Sequence, residues 1–506
     1  MKFLRADILA GVTVAMVAIP QGMAYAELAG LPAHLGLLAT AAPALAAAAF
    51  ASSAWIQVGP VATTSLLTLG ALSAIATPGS EGYVALAVVL ALLVGLFRLT
   101  LGLARLGRVN YVVSRGVMQG FIFGAGVLIA ASQVPSFFGL RAGEQSLWEA
   151  CFTALSSPER WSAPSVAVAL ATIAFILVGR RIHRLFPSVL VAGAVATAAV
   201  AAGWLTVDTV GEVPALVLPN LNSLPWGRVS ELLLPALVIA VLGFTEAASL
   251  GRAFSRREGT PWSADRELIS QGVANLTAGL CGTFPVGASF SRTALNHLAG
   301  ARTRLAGGVT GVAILAFLPL SSLVADLPRA VLAGTLLVAV SALFDRRQML
   351  ELWRDSRPDA LVALIVFTLT LALAPHVERA VLLGMVVSAL VRAISRPPCE
   401  AAVTQSADEL NLVVRGHLWL RSVSSVTTPL SRCQSSSVKR VVVQLGEVGS
   451  VSPLALTRCL KAIRALESEG RQVHWRGADD EVALWLRALR LRAASADERD
   501  VQRSNP

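Results

Sequence analysis

Long apolar stretches separated by short polar segments occupy most of the chain up to residue 398. A helix needs roughly 20 apolar residues to cross a bilayer, and several of these stretches are shorter. The pattern predicts an α-helical polytopic membrane protein with about fourteen spans, the third and tenth being shortest because Pro60 and Pro285 cut them. The predicted spans lie near residues 8–28, 35–50, 60–77, 83–104, 116–132, 165–179, 186–205, 232–250, 267–284, 288–299, 305–324, 328–344, 359–374 and 377–394.

The pattern changes after residue 398. Residues 399–506 are rich in Arg, Ser, Asp and Glu and contain no long apolar run. We therefore predict a transmembrane domain over 1–398 and a separate cytoplasmic α/β domain over 399–506. Within the second domain, Val441–Leu445 is typical of a buried strand, and Pro453–Leu466 is typical of an amphipathic helix.

Composition and charge support a membrane location. The 506 residues are 55% hydrophobic and 14% charged, and the mean hydropathy is +0.66. The net charge of +11 does not indicate nucleic acid, because most basic residues lie in short loops between apolar stretches. The positive-inside rule then places both termini in the cytoplasm. We expect the membrane to be a bacterial inner membrane. The opposite side receives only Arg141, Arg160, Arg228, Arg329 and Arg379.

The cysteines and the N-terminus add two exclusions. The five cysteines are scattered and show no metal-ligand spacing, so we expect neither a disulfide framework nor a bound metal. The apolar stretch that starts at Ile8 continues to Ala29 without a convincing cleavage site, so it is interpreted as the first span. We also find no Walker A, GxGxxG or HExxH motif and no nucleophile–base pair, which argues against an enzyme and against a cofactor.

Two interrupted segments occupy matching positions in the two halves of the chain. Pro60 lies 52 residues after Ile8, where the first span begins, and Pro285 lies 53 residues after Leu232, where the eighth begins. Each proline is followed by small and hydroxyl residues and then by a short helix. Paired breaks of this kind indicate a binding site between inverted repeats, here about 1–206 and 230–398 with seven spans each.

The second break carries an arginine at membrane depth. Irregular backbone there is tolerated only where it is buried in protein or lines a cavity, and an intramembrane charge indicates a functional site. A helix starting at Ser289 would direct its free N–H groups at the same place as Arg292. The alternative is that Arg292 snorkels to the cytoplasmic surface or pairs with a carboxylate. The first interpretation predicts an anion site lined by both breaks: Thr63, Thr64, Ser65, Gly287, Ala288, Ser289, Phe290, Ser291 and Arg292. For the hydroxyl residues, bonding to their own helix remains the alternative.

Glu246 lies inside the eighth apolar stretch. A carboxylate there must be protonated, paired or solvated by a cavity, because burial disfavours its charge. We expect Glu246 to carry the coupled proton; a structural ion pair, for example with Arg292, is the alternative. In the first span Gln21 and Tyr25 are one helical turn apart and are expected to line the site or to join helices. Asn275 and Asn296 are expected to join helices through hydrogen bonds.

At these residues the chain resembles the SulP (sulphate permease) family of anion transporters. The resemblance covers nearly the whole chain and rests on motifs that occur in order, at Asp7–Gly11, Ile19–Ala26, Glu267–Asn275, Gly287–Thr293 and Ala299–Thr303. It implies a seven-plus-seven inverted-repeat fold with core and gate domains, an elevator-type motion, substrate between the third and tenth spans, and often a homodimer.

The tail is similar to the family's STAS domain but departs from the phosphorylated type. Where that type has an Asp-Ser-Ser-Gly turn, this chain has Ser452-Pro453-Leu454-Ala455, with Leu454 at the position of the phosphorylated serine. Regulation by that phosphorylation is therefore not expected. A structural or dimer-supporting role is expected instead.

The expected function is secondary active transport of small anions, by proton-coupled symport. Among substrates we favour a dicarboxylate such as fumarate or succinate over sulphate. Sodium-coupled symport and bicarbonate or sulphate exchange remain alternatives. An anion channel or charge-moving membrane motor is the alternative of another class. A nucleobase–cation symporter would need a carboxylate where the tenth span has Arg292, and a sensor would not require fourteen spans.

Overall fold

The computed structural model describes most of the first four hundred residues and four strands of the tail. The described residues are 2–107, 109, 112–141, 145–183, 185–211, 219–395, 400–405, 409–418, 423, 426–428, 440–451, 459 and 472–476. The chain divides into two compact units, Met1–Ala389 and Leu390–Pro506. The sequence placed the corresponding boundary after residue 398.

Helices dominate the first unit. In chain order they are α1 Lys2–Leu28, α2 Leu35–Phe50, α3 Ala62–Ser73, α4 Glu81–Leu103, α5 Arg115–Phe137, α6 Leu147–Ser156, α7 Ala163–Ile182, α8 Ser188–Ala201, α9 Val229–Glu258, α10 Ala264–Leu280, α11 Phe290–Leu298, α12 Leu305–Phe317, α13 Arg329–Ser341, α14 Arg346–Asp355, α15 Arg357–Ala372 and α16 Val377–Ser395. Two short strands, β1 Val58–Gly59 and β2 Gly287–Ala288, precede α3 and α11.

A helix lies at each of the predicted apolar stretches. Within the described residues, six helices are long and apolar enough to cross a membrane, and other apolar helices are shorter. The figure of fourteen spans therefore remains a prediction. The sequence missed two helices, α6 and α14. α6 begins with a capping box between Ser146 and Glu149, and α14 is a polar helix between two apolar ones.

The helices of the first unit form two packed groups. In one group α10 packs on α4 and α2, α12 packs on α2 and α1, and α9 packs on α4. In the other, α15 packs on α5, α13 packs on α5 and α7, and α7 packs on α8. The groups meet mainly where α1 contacts α13 and α8 and where α3 contacts α5. One group thus holds both breaks.

Small residues bring α4 and α10 close together. A Cβ added at Gly95 would lie 2.6 Å from the backbone nitrogen of Leu276, and one at Gly272 would lie 2.6 Å from that of Leu99. Backbone contact of this kind is how apolar helices pack tightly in a bilayer, where burial of side chains gives little driving force. The packing fixes α4 against α10 and thereby positions residues near the second break.

Ionic groups connect elements at both ends of α1. Near its start, the buried carboxylate of Asp7 accepts hydrogen bonds from the backbone N–H groups of Arg302 (2.7 Å) and Thr303 (3.0 Å) and from the Thr303 hydroxyl (2.6 Å). Near its end, Glu27 pairs with Arg329 of α13 at 3.2 Å. The Glu27 side chain is 18% exposed.

The tail contains a mixed four-stranded sheet. Its strands are β3 Glu400–Gln405, β4 Glu409–Leu418, β5 Arg440–Val451 and β6 Gln472–Arg476, in the order β3-β4-β5-β6. β3 and β4 are antiparallel, whereas β4 pairs with β5 and β5 with β6 in parallel. The strand expected at Val441–Leu445 lies within β5, where Val441 to Val443 are buried. The helix expected at Pro453–Leu466 and the Ser452–Ala455 turn lie outside the described residues.

Candidate anion-binding site

The two breaks pair with each other. β1 and β2 form an antiparallel ribbon in which Val58 faces Ala288 and Gly59 faces Gly287. The ribbon continues with a hydrogen bond from the Ser289 backbone N–H to the Gln57 carbonyl at 2.9 Å. Because the strands are antiparallel, α3 and α11 leave the ribbon in opposite directions. Both helix N-termini are therefore directed at the ribbon.

Each helix begins immediately after the ribbon. α3 follows Val61, and α11 follows Ser289, whose hydroxyl accepts from the Arg292 N–H at 3.4 Å. The predicted third span of 60–77 is thus a shorter helix, and the expected start at Ser289 is one residue early because Ser289 is the cap. Free N–H groups in the first turn of a helix attract anions. The geometry provides two such ends at one place.

Arg292 turns back toward the ribbon and is 1% exposed. Its Nη2 donates to the Pro60 carbonyl at 2.6 Å, while Nε and Nη1 have no hydrogen-bond partner among the described residues. The guanidinium lies against Gly59, where a Cβ would be only 2.9 Å from Nη1. The side chain therefore does not snorkel to a surface. No ion pair within 4 Å joins it to Glu246 in the described part of the chain.

The hydroxyl residues have different partners. Thr63 donates to Glu246, and the Thr64 hydroxyl bonds its own helix through the Val61 carbonyl at 3.2 Å. Ser65 is fully buried, and its hydroxyl has no partner among the described residues. The hydroxyls of Ser289 and Ser291 lie 3.4 Å apart. Back-bonding thus accounts for the Thr64 hydroxyl but not, among the described residues, for that of Ser65.

Glu246 is 3% exposed on α9 and accepts a hydrogen bond from Thr63 at 2.9 Å. This bond links α9 directly to the first turn of α3. A buried carboxyl that touches the helix start of the anion site can change the charge of that site by binding or releasing a proton. The carboxyl that the sequence predicts to carry a proton therefore lies next to the predicted anion site.

Residues of α1 and α11 complete the predicted set. Gln21 and Tyr25 of α1 are 5% and 6% exposed, and the Gln21 Oε1 has no partner among the described residues. Tyr25 lies close enough to Arg292 for an electrostatic interaction. Phe290 is 47% exposed and Ser291 is also exposed, so their side chains lie outside the buried cluster. Gly287 and Ala288 are buried in the ribbon.

Arg98, which the sequence analysis did not single out, is fully buried on α4. Its Nη1 donates to the Val286 carbonyl at 2.9 Å, and its Nη2 and Nε donate to the carbonyls of Ile239 and Ala240 at 3.0 and 3.2 Å. The criterion that selected Arg292, a charge inside an apolar stretch, applies equally to Arg98. The sequence therefore contained the signal that identifies it.

Asn275 of α10 also bonds the backbone of Val286. Its side chain accepts from the Val286 N–H at 2.9 Å and donates to the Val286 carbonyl at 3.0 Å. Asn296 donates to the Trp55 carbonyl at 3.0 Å. The sequence predicted that both amides join two helices side by side. In the structure they bond the irregular segments instead. They supply the hydrogen bonds that broken backbone needs inside a membrane protein.

Comparison with known proteins identifies the family of the chain. The sequence profile of the sulfate permease family matches residues 4–366. The chain belongs to the sulfate permease family. A probable sulfate transporter of Mycobacterium tuberculosis is 32% identical over 401 residues, covering 78% of this chain and 72% of that one. Solute carrier family 26 member 6 of Homo sapiens is 30% identical over 402 residues, covering 73% of this chain and 53% of that one.

Solved structures of transporters share the fold. The murine solute carrier 26 family member A9 anion transporter in the inward-facing state aligns with a TM-score of 0.72 and 19% identity, covering 100% of this chain and 90% of that chain. The transmembrane domain of the cyanobacterial bicarbonate transporter BicA aligns with a TM-score of 0.67 and 23% identity, covering 77% of this chain and 98% of that chain. At these identities the likeness concerns the fold alone. As a sulfate permease family member the protein is a membrane anion transporter, not an enzyme.

Proposed function

We propose that the protein is a secondary active transporter that moves a small divalent anion together with a proton. Sulphate is the first substrate to test, because the relative from Mycobacterium tuberculosis is named a probable sulfate transporter. A dicarboxylate such as fumarate, favoured by the sequence, is the second. The substrate binds between α3 and α11, in contact with Gln21, Ser65 and Arg292.

The Arg292 side chain carries the proposal. It is a buried guanidinium with two donor nitrogens that lack partners among the described residues, and it lies where two helix N-termini meet. A buried cation of this kind is costly unless an anion neutralises it. Planar N–H donors and helix N-termini are both suited to oxyanions. An anion at the ribbon would satisfy all of these groups together.

Proton coupling follows from the position of Glu246. The carboxyl group contacts Thr63 in the first turn of α3, so an ionised Glu246 opposes an anion there and a protonated Glu246 does not. Binding of the anion and binding of the proton therefore favour each other. This reciprocity is what a symporter needs.

The two packed helix groups suggest how the site changes sides. The group that holds both breaks could move as a unit against the other, with the contacts of α1 and α3 forming the sliding interface. We propose this elevator-type motion, the seven-plus-seven repeats, a homodimer, an inner-membrane location with cytoplasmic termini, and a STAS domain over 399–506. The parallel strand pairs of the tail support an α/β domain there.

Uptake into proteoliposomes tests the proposal. Labelled sulphate and labelled fumarate are offered with and without an inward proton gradient, and with and without sodium. We expect accumulation of one anion that depends on the proton gradient and is lost in Glu246→Gln. Glu231→Gln is the matched control, because Glu231 lies on the same helix but is exposed and pairs with Arg228.

Other outcomes identify the alternative functions. Uptake that ignores the proton gradient and survives Glu246→Gln would contradict coupling through Glu246. Dependence on sodium, or on an internal exchangeable anion, would indicate sodium symport or exchange. Unsaturable conductance without accumulation would indicate a channel, and charge movement without transport would indicate a motor.

A further inference from the structure

A second buried guanidinium lies beside the proposed anion site. Arg98 is 0% exposed and reaches α9 one turn before Glu246, where a Cβ at Gly243 would collide with its Nη2. The same Cβ would be 3.5 Å from the Thr64 methyl group. The charges of Arg98 and Glu246 interact. Arg98 is thus adjacent both to the first turn of α3 and to the proton-binding carboxyl.

Few other ionisable groups face this region. α3 and β2 carry none, and those of α10 are confined to its first turn, at Asp265, Arg266 and Glu267. That turn adjoins the end of α9 near Glu258, about 18 Å of helix from Glu246 at the standard rise. The remaining ionisable groups at the site are Tyr25 of α1 and Arg292 of α11. On α9 itself the nearest other ionisable groups are Arg252, about 9 Å of helix from Glu246, and Glu231, about 22 Å away, and on α4 Glu81 lies about 26 Å from Arg98. Among the described residues, the charge beside the break is therefore set by two arginines and one carboxyl.

We infer that Arg98 is the second positive charge of the anion site and that the preference for divalent over monovalent anions depends on it. The inference rests on the proposed function, because it assumes an anion at Arg292 and a proton at Glu246. With Glu246 protonated, two positive charges face the anion. With Glu246 ionised, the net charge is one.

The charge count specifies what each protonation state prefers. A divalent anion neutralises the site only when Glu246 is protonated, whereas a monovalent anion neutralises it when Glu246 is ionised. Interaction with Arg98 scales with the charge of the ligand, so a divalent anion gains twice as much from it as a monovalent one. Sulphate binding should therefore strengthen as the pH falls, and binding of a monovalent anion should change less.

A purely structural function for Arg98 is the competing explanation. Arg98 bonds the Val286 carbonyl and could simply hold the break in place. Asn275 bonds the same carbonyl and is neutral, so it offers a matched control for that function. Loss of positioning should weaken all anions equally. Loss of charge should weaken a divalent anion selectively.

The test compares sulphate with perchlorate, which is also tetrahedral but carries one charge. Dissociation constants are measured by calorimetry on the purified full chain, at constant ionic strength, in mildly acidic and mildly alkaline buffer. In Arg98→Gln we expect the preference for sulphate to fall about tenfold or more, since one of two interacting cations is lost. Arg98→Lys keeps the charge but not the forked donors, so both anions weaken and the preference persists. Asn275→Ala should behave like Arg98→Lys.

Equal weakening of both anions in Arg98→Gln would overturn the inference while leaving the proposed function intact. Failure of the unaltered protein to bind either anion would instead refute the proposed function and, with it, the inference. If Arg98→Gln alone does not fold, the double variant Arg98→Gln/Glu246→Gln, which leaves no carboxylate without its cation, is compared with Glu246→Gln. The preference for sulphate should be about tenfold lower in the double variant, because the two proteins differ only in the charge at Arg98. An equal preference in the two would refute the inference.

Discussion

Adding one methyl group to Gly59 should weaken anion binding. It should also strain the backbone of β1, because Gly59 has a φ of +155°, a conformation that L side chains rarely adopt. In Gly59→Ala the new Cβ would lie 2.9 Å from Nη1, 3.1 Å from Nη2 and 3.3 Å from Cζ of Arg292. Ordinary contact with a Cβ begins at 3.4 Å. The guanidinium must therefore retreat from the ribbon, because it is the movable end of a flexible side chain whereas β1 is held by β2.

The size of the effect follows from this retreat. A displacement of about 0.5 Å is as large as the tolerance of a preorganised binding site. It also weakens the bond from Nη2 to the Pro60 carbonyl that orients the free donors. A hydrogen bond to a charged group contributes about 1.5–3 kcal/mol. A loss of about 1.4 kcal/mol of binding free energy raises a dissociation constant tenfold, so the dissociation constant for sulphate should rise about 10- to 100-fold.

Gly308→Ala provides the matched control. Gly308 is also buried, on α12, but a Cβ there would lie 3.6 Å from the Cβ of Ala48, which is an ordinary contact. Replacing a helical glycine by alanine should stabilise the protein by up to about 1 kcal/mol. Sulphate binding and the melting temperature are measured for both variants. Unchanged sulphate affinity in Gly59→Ala would refute the placement of the anion at the Arg292 guanidinium.

Two further substitutions test contacts away from the anion site. Asp7→Ala removes the acceptor for the N–H groups of Arg302 and Thr303 and for the Thr303 hydroxyl, so the free energy of unfolding should fall by about 2–4 kcal/mol with little change in sulphate affinity. An unchanged melting temperature in Asp7→Ala would contradict this prediction. Arg329→Gln breaks the pair with Glu27, a longer pair with Asp208 and a hydrogen bond to the Thr209 carbonyl. Because these side chains are partly exposed, stability should fall by about 1–2 kcal/mol. Chemical denaturation measures that change, and a larger loss would mean that the pair is effectively buried.

Local patterns located the breaks and the buried charge because these features are encoded in short windows. Pro60 and Pro285 interrupt apolar stretches, and Glu246 stands out within one. The fourteen helices at the predicted stretches have the same origin, since apolar length is a local property. α6 and α14 were missed because they are short helices between apolar stretches, for which apolar length gives no signal.

Hydrogen bonds between residues far apart in the sequence could not be predicted from local patterns. The hydrogen bond from Thr63 to Glu246 joins residues 183 positions apart, and the bond from Arg292 to Pro60 joins residues 232 apart. Single-sequence periodicity contains no information on such pairs. Arg98 is different, because its charge inside an apolar stretch was visible and only its partners were not. Its bonds to Val286, Ile239 and Ala240 explain how a charge is retained there.

The pairing of the breaks explains why they occur together. Backbone groups freed by one break need partners, and in a bilayer no lipid can supply them. Here Ser289 bonds Gln57, the Gln57 N–H bonds the Thr293 hydroxyl at 3.1 Å, and Pro60 accepts from Arg292. The backbone of each break is thus satisfied largely by the other, which leaves Nε and Nη1 of Arg292 and the Ser65 hydroxyl available. Among the described residues, the free groups at the ribbon thus include donors suited to an anion, beside the unpartnered side-chain amide of Gln57. The same pairing that allows irregular backbone in the membrane therefore leaves the donors of the proposed binding site available.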